Sequence, residues 1–231
     1  LEAPFSSEPK ELVKSNMRYR GITWGDANTA LLYEGFSRSR LTRMNKLNPA
    51  TGEVDSLFQR RQDDQYADIG QPITKQNAYA QNVLHILPGN KLLLRSQGAS
   101  DEGDMPLLQT FDLKTKKTKK VWQSKAPYYE QVVSVIDPVK LVFITSKESV
   151  NETPNYYIHN LAKKSTKALT NFTDPQPALR QLSKEKIFYE RKDGVDLTGT
   201  LYLPAGYNKE KDGPLPVLIW AYPREFKSAN D

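Results

Sequence analysis

The chain has 231 residues, of which 38% are hydrophobic and 26% are charged, close to the average of soluble globular proteins. This composition excludes a disordered chain, and no apolar run approaches the about 20 residues that cross a bilayer. The net charge is +6, but the basic residues are spread along the chain. Their densest cluster, at 114–120, is predicted to be a solvated turn. We therefore expect no nucleic-acid or membrane partner.

The absence of cysteine from the sequence excludes disulfides and thiolate metal ligands. No residue pattern indicates a cofactor or a metal site. The first residues, LEAP, contain neither a basic segment nor an apolar one, so no targeting signal is visible and the compartment stays open.

The first four predicted strands show alternating apolar and polar residues and lie at 22–24, 30–34, 41–47 and 56–59. Turn residues separate them, at Gly25-Asp26 and in the segment 48–52. Four short strands joined in chain order are typical of one propeller blade.

Two further sets of four strands follow with the same order. The second set is predicted at 82–86, 91–95, 106–112 and 119–122, and the third at 131–135, 140–145, 155–160 and 167–169. The offsets between the second strands, near Leu31, Leu92 and Leu141, are roughly 60 and 50 residues, near the upper end of propeller repeats. Residues 11–13 are predicted as the outer strand of a preceding, truncated blade. A β-sandwich of similar strands is the alternative fold.

The composition changes after residue 170. Residues 171–177 resemble a linker, and 179–182 are predicted as one more inner strand. Asp193-Gly194 predicts a tight type I′ turn between strands at 186–191 and 195–203. After a polar break at 208–213, the run VLIW at 217–220 predicts a strand that is buried on both faces.

Residues 189–207, YERKDGVDLTGTLYLPAGY, and 212–223, DGPLPVLIWAYP, carry a family resemblance. They resemble the junction between propeller and catalytic domain in the prolyl oligopeptidase family of serine peptidases, and most of all its glutamyl endopeptidase branch. Segments 22–25, 66–70 and 145–149 are similar to the same branch. The resemblance implies a mainly β fold: a partial propeller over residues 1–182, then the first strands of an α/β-hydrolase domain over 183–231, truncated.

The resemblance also implies a serine-type peptidase whose propeller gates peptide access to a Ser-Asp-His triad. The sequence contains no G-x-S-x-G, and His85 and His159 precede the position where the nucleophile should come. Both histidines are therefore interpreted as structural or surface groups, and the segment itself is expected to be inactive. A non-catalytic propeller that binds peptide or protein, and an esterase of the same fold, are the alternatives.

Two site residues are predicted in this segment, the first from the resemblance and the second from the chemistry of its side chain. Tyr222 matches the family tyrosine that donates its hydroxyl to the oxyanion of the tetrahedral intermediate. Arg224 could pair with a carboxylate of the peptide substrate, because a guanidinium group binds a carboxylate in a bidentate manner. The oligomeric state and the preferred side chain at the cleaved bond stay open.

Three other groups of residues are weaker candidates. Asp101, Glu102 and Asp104 lack the alternating ligand spacing of a calcium loop and are interpreted as an exposed blade loop. Arg38, Arg40 and Arg43 could line a channel and attract an acidic peptide, but we expect them to face solvent. The glycosylation sequons at Asn151 and Asn171 are of a kind that often arises by chance.

Overall fold

A computed structural model describes residues 6–9 and 11–221 of the chain. This part is mainly β, with two short helices, α1 (Pro177–Arg180) and α2 (Lys209–Asp212). The strands are β1 (Arg18–Asp26), β2 (Thr29–Phe36), β3 (Leu41–Leu47), β4 (Val54–Arg61), β5 (Gln71–Pro72), β6 (Thr74–Gln76), β7 (Asn82–Leu84), β8 (Lys91–Ser96), β9 (Leu107–Asp112), β10 (Thr118–Gln123), β11 (Tyr129–Asp137), β12 (Val142–Glu148), β13 (Asn155–Asn160), β14 (Ser165–Ala168), β15 (Ser183–Glu190) and β16 (Asp196–Leu203).

Twelve of these strands form three antiparallel sheets of four. Sheet one has the order β1-β2-β3-β4, sheet two β5-β8-β9-β10, and sheet three β11-β12-β13-β14. Each sheet pairs neighbours in chain order apart from the hairpin inserted between β5 and β8. The prediction of a mainly β chain built from four-stranded blades is confirmed.

The three sheets pack face to face in chain order. Leu92 and Leu94 on β8 join a buried cluster with Leu31 of sheet one, whereas Leu93 joins a second cluster with Phe143 of sheet three. Because successive side chains of a strand point to opposite faces, sheet two is covered on both sides by its neighbours. This arrangement is that of consecutive propeller blades and differs from a two-layer sandwich.

The segment before sheet one was predicted as a strand of a preceding blade, and that prediction is wrong. Residues 11–15 form no strand, but Val13 packs on the outer face of sheet one against Ala30, Leu32 and Leu47. A few residues later, the backbone amides of Asn16 and Met17 donate hydrogen bonds to the carboxylate of Glu34, which holds this segment against sheet one. The apolar residues are therefore used for packing without strand pairing.

Sheet two has a different inner strand from the predicted one. Residues 82–86 were expected to pair with 91–95, but β7 pairs with β6 in a separate hairpin that packs against β1. The inner strand is β5, in which Gln71 lies opposite Arg95. Gly70 permits this pairing because a Cβ at its position would lie 2.2 Å from the carbonyl oxygen of Arg95. A strand of two residues carries no periodic pattern, so the sequence gives no signal for it.

The region after sheet three contains α1 in place of the predicted strand at 179–182. Pro177 occupies the first turn of this helix, where its missing N–H leaves no hydrogen bond unmade. The Arg180 side chain donates to the carbonyl oxygens of Ser149 and Val150 and pairs with Asp174, at 2.5 Å, which ties the helix to sheet three. A helix held by these contacts therefore occupies the segment that was predicted as one more inner strand, at 179–182.

The hairpin of β15 and β16 is confirmed, with Ser183 opposite Leu203 and Glu190 opposite Asp196. Its loop differs from the predicted type I′ turn. Only Gly194 of the five loop residues 191–195 has a positive φ, of +81°, and its amide donates to the carbonyl oxygen of Arg191. This geometry is that of a type I turn closed by a left-handed glycine.

The run at 217–220 was predicted as a strand buried on both faces, and in the structure it is neither. It pairs with no strand of the described residues, and Leu218 is 97% and Trp220 is 89% exposed. Strand pairing and burial both require a neighbour, and none of the described residues provides one. Within residues 6–9 and 11–221, no helix is long and apolar enough to cross a membrane.

Candidate functional site: the arginine end of the sheets

The two site residues predicted from the sequence, Tyr222 and Arg224, lie outside the described residues. Their roles stay predictions. The candidate site that the structure does describe is one end of the three sheets, where charged side chains and a cleft come together.

Arginine and lysine are separated along the strands of the three sheets. We call the end at which β1, β3, β5 and β11 begin the arginine end, and the opposite end the lysine end. Every arginine of residues 18–168 lies towards the arginine end: Arg18, Arg20, Arg38, Arg40, Arg43, Arg60, Arg61 and Arg95. The lysine end carries Lys46, Lys91, Lys114, Lys116, Lys117, Lys140, Lys163 and Lys164. Two lysines, Lys125 and Lys147, share the arginine end.

Part of the arginine set holds the loop that connects sheet one to sheet two. Arg40 Nη1 and Arg61 Nη2 both contact Asp63 Oδ2, at 3.3 and 2.7 Å. The hydrogen bond from Arg61 is the main cause that lowers the pKa of Asp63. Arg60 Nη2 lies 2.8 Å from Asp68 Oδ2 in the same loop. These guanidinium groups position the backbone and have their carboxylates close by.

Glu34 is the most buried carboxylate at the arginine end, with 2% of its side chain exposed. Its Oε1 accepts hydrogen bonds from Arg43 Nη1, at 3.2 Å, and Asn45 Nδ2, at 3.0 Å. Burial alone would raise the pKa of Glu34, but the donated hydrogen bonds of Asn45 and Met17 and the charge of Arg43 outweigh it and lower the pKa. The site therefore keeps the buried negative charge of Glu34, which the charge of Arg43 and the hydrogen bonds of the other donors stabilise.

The expectation that three arginines face solvent is confirmed for one of them. Arg38 is exposed in the turn between β2 and β3, whereas Arg40 and Arg43 are half-buried and paired with carboxylates. Their alternation along the chain did not reveal the carboxylates of Asp63 and Glu34, which come from other strands and loops.

Three guanidinium groups of sheet one make no ion pair with any described residue: Arg18, Arg20 and Arg38. All three side chains are exposed. Arg20 Nη2 donates to Ser37 Oγ, at 2.7 Å, directly beside Arg38 in the chain. Arg18 lies opposite Gly35 on β2, two residues before that serine. Sheet one thus presents a local excess of positive charge at this end.

A cleft of about 490 Å³ opens at the same end between sheets two and three. It is lined by Asp68, Gly70, Gln71, Arg95, Ser96, Gln97, Pro106, Leu107, Gln131, Val132 and Val133. The exposed Arg95 reaches across it, with Nη1 3.5 Å from the carbonyl oxygen of Val132 on β11. The lining thus combines the guanidinium group of Arg95, the carboxylate of Asp68, which pairs with Arg60, three carboxamides and a few apolar groups.

The acidic loop beside this cleft is exposed, as the sequence predicts for Asp101, Glu102 and Asp104. Asp104 Oδ2 accepts a hydrogen bond from Gln97 Nε2, at 3.0 Å, and the same amide contacts the Tyr129 hydroxyl. The loop is therefore connected to the cleft wall through one glutamine side chain.

His159 belongs to a buried hydrogen-bond network in sheet three. Its Nε2 lies 2.7 Å from Glu130 Oε1, and the Thr145 hydroxyl donates to the same carboxylate oxygen at 2.6 Å. The imidazole stacks on the ring of Phe143, with centroids 5.0 Å apart, and its Nδ1 contacts Thr166 Oγ1 at 3.1 Å. Both ring nitrogens are engaged, which is consistent with a structural role. Sequence reasoning missed this network, since its members come from four strands.

His85 lies apart from that network, between β7 and β8. It is half-buried, and burial is the first cause that lowers its pKa, followed by the charge of Lys75. Its backbone amide donates to the carbonyl oxygen of Ile73. A neutral, partly buried imidazole at this place agrees with the structural interpretation.

Comparison with known proteins gives two close sequence relatives. The chain is 41% identical over 236 aligned positions to a probable chloroplastic glutamyl endopeptidase of Oryza sativa subsp. japonica, and 39% identical over 237 to one of Arabidopsis thaliana. Each match covers 96% of this chain and 25% of the relative. The resemblance to the glutamyl endopeptidase branch is confirmed. The chain spans a quarter of the length of these glutamyl endopeptidase relatives.

Other comparisons add less detail. No protein-family model matches the chain. Among solved structures, oligopeptidase B from Leishmania major has a TM-score of 0.43 at 8% identity, covering 83% of this chain and 32% of that one. The isopeptidase AtxE2 has a TM-score of 0.42 at 13% identity, covering 89% of this chain and 27% of that one.

Proposed function

We propose that this chain is part of a longer serine-type peptidase, in which the three sheets belong to a propeller that limits peptide access to a hydrolase domain. The observation that carries the proposal is the identity of about 40% to glutamyl endopeptidases across 96% of the chain. In this proposal the sheets lie in the propeller part, residues 1–182, and residues 183–231 open the hydrolase domain.

Acyl transfer requires a set of reacting groups, and we assign these groups to other residues of the complete protein. Hydrolysis requires a serine nucleophile activated by a histidine, with an aspartate that orients the imidazole. The chain contains no G-x-S-x-G. Of its two histidines, His159 has both ring nitrogens engaged by neighbouring side chains. We therefore expect no peptidase activity from the 231 residues alone.

The exposed apolar groups near the C-terminal part support the assignment of residues 183–231. The run at 217–220 and the hairpin side chains of Ile187, Phe188 and Tyr202 are exposed together. Exposed apolar groups in such number are typical of a surface that another part of a protein covers. In this proposal, the central sheet of the hydrolase domain takes up the strand at 217–220 and buries it.

Tyr222 is proposed as the oxyanion donor of that domain. A phenol with a pKa near 10 stays protonated at working pH and donates a hydrogen bond without carrying charge. Such a donor stabilises the negative oxygen of the tetrahedral intermediate more than the neutral carbonyl of the substrate. Arg224, two residues later, is proposed to bind a substrate carboxylate.

The first experiment measures peptide hydrolysis by the complete protein. A serine-directed inhibitor should abolish turnover, and Tyr222→Phe should lower kcat by about 10²-fold or more with little change in KM. Tyr79→Phe, at an exposed position of the hairpin loop, is the matched control and should leave kcat unchanged. Turnover that resists the inhibitor would contradict the serine-type assignment, and an undiminished kcat in Tyr222→Phe would contradict the oxyanion role.

A further inference from the structure

The guanidinium groups of Arg18, Arg20 and Arg38 form an exposed cationic surface on sheet one. Arg20 contacts the hydroxyl of Ser37, which is neutral, and none of the three has a carboxylate partner among the described residues. Exposed side chains with unpaired charge are free to bind an external anion, because no internal ion pair must be broken first.

The neighbouring carboxylates are already occupied. Glu34 pairs with Arg43, Asp63 with Arg40 and Arg61, and Asp68 with Arg60. Asp64 accepts the backbone amide of Ala67 instead. Since these acids are engaged by their own partners, none of them pairs with Arg18, Arg20 or Arg38. The exposed carboxylates of Asp101, Glu102 and Asp104 lie at the same end of the sheets, beside the cleft between sheets two and three.

The chemistry of the residue type is informative as well. A guanidinium group is planar and binds a carboxylate through two parallel hydrogen bonds, whereas an ammonium group acts as a point charge. Arginine is gathered at the end that also holds the cleft between sheets two and three, with Arg95 exposed in its wall. The opposite end has cations in similar number, but they are lysines.

We propose that the arginine end is a binding surface for carboxylate-rich peptides, with Arg18, Arg20 and Arg38 as the first contact and Arg95 in the cleft as the second. The choice of a peptide as ligand rests on the proposed peptidase function. This surface is separate from the residues at the cleaved bond. It raises the local concentration of acidic peptides and speeds their association through electrostatic attraction.

The test measures binding of a short labelled peptide of alternating Glu and Gly to the complete protein, by fluorescence anisotropy. Treatment with a serine-directed inhibitor beforehand prevents hydrolysis of the probe. The Glu peptide should bind more tightly than a matched Gln peptide, and the difference should vanish near 1 M salt, where charges are screened beyond about 3 Å.

Two triple variants locate the surface. Arg18→Gln, Arg20→Gln and Arg38→Gln together should weaken binding of the Glu peptide about tenfold, mainly through slower association. Lys117→Gln, Lys119→Gln and Lys163→Gln remove the same charge from exposed positions nearer the lysine end and should change affinity by less than about twofold. Arg95→Gln alone should weaken binding about threefold. Thermal unfolding of all variants checks that the fold is kept.

Three results would overturn the proposal: equal weakening by both triple variants, equal affinity for the Gln peptide, or tighter binding of a phosphate-rich oligonucleotide than of the Glu peptide. Because the readout is binding, it does not depend on turnover. Hydrolysis that resists the serine-directed inhibitor would refute the proposed function and leave the binding comparison intact.

Discussion

The three packed sheets and the C-terminal hairpin contain similar strands in very different surroundings. On β8, Leu92, Leu93 and Leu94 are all buried because sheets one and three cover both faces. On β15, Ile187 is 40% exposed although its strand pairs along its whole length. Hydrogen-bonded pairing of strands and the covering of a sheet face by another sheet are therefore separate features. Only the covering of the face removes apolar side chains from water.

The difference shows what a sequence pattern specifies. Alternation fixes which residues share a face, and turn residues fix which strands are neighbours. The pattern does not specify the surface that will lie against that face. In the sheets this surface comes from the next blade in the chain, whereas none of the described residues provides it for the hairpin.

The largest expected effect that separates the two regions concerns Phe143. This side chain is fully buried and packs against Trp122 and His159, so Phe143→Ala should cost about 4 kcal/mol of unfolding free energy. Phe188→Ala in the hairpin, where the residue is 72% exposed, is the matched truncation and should cost about 1 kcal/mol or less. Urea unfolding of both variants measures the difference. Similar costs at the two positions would contradict the distinction.

A smaller effect is expected from the buried carboxylate of sheet one. Glu34→Gln removes the charge that four hydrogen-bond donors surround and should cost about 2 kcal/mol at neutral pH. The pKa of Glu34 is lowered in the folded state, so its contribution is complete above the pKa of the unfolded chain, about 4.5, and is lost as the pH falls through the folded value.

The pH dependence of the stability difference between the unsubstituted chain and Glu34→Gln tests whether the charge of the carboxylate causes the loss. Stability of the unsubstituted chain and of the variant should converge as the medium becomes more acidic than about pH 4.5. Denaturant midpoints measured from neutral to acidic pH give the two curves. A constant gap at every pH would mean that shape, and not charge, accounts for the loss.

The smallest effect concerns one hydroxyl group in sheet three. Thr145 is fully buried and donates to Glu130, whose pKa is lowered because the hydrogen bonds of His159 and Thr145 outweigh the effect of burial. Thr145→Val should cost about 1 to 2 kcal/mol, since the carboxylate loses a donor. Thr200→Val, at an exposed position of β16, should be close to neutral. Thermal unfolding compares the two, and a neutral Thr145→Val would show that the network does not depend on this hydroxyl.

The sequence predicted most of the fold because most of its strands alternate apolar and polar residues and end at turns. All four strands of sheets one and three, and both strands of the hairpin, were placed correctly. The prediction was wrong where a strand is too short for any period, as in β5, and where Pro177 begins a helix in a segment taken for a strand. It was also wrong for 217–220, whose composition is typical of a core strand but whose neighbours are not among the described residues.

The site was harder to predict than the fold. The resemblance supplied Tyr222, and side-chain chemistry supplied Arg224. Both residues lie outside the described residues and stay predictions. The carboxylate partners of Arg40 and Arg43 could not be read from spacing, because they are 23 and 9 residues away along the chain. The arginines themselves were visible in the sequence, but their position at one end of the sheets became apparent only once the strand directions were known.

Sheet two lies between sheets one and three, and this position affects how the packed sheets can separate. Its side chains belong to both of the clusters that lie between sheets, whereas sheets one and three each share one of these two clusters with it. The third cluster lies on the outer face of sheet one. Either outer sheet can open at the cost of a single interface, but opening the middle one exposes two at once. Among the described residues, separating sheet two from its neighbours therefore exposes both shared clusters to water, whereas separating sheet one or sheet three exposes one.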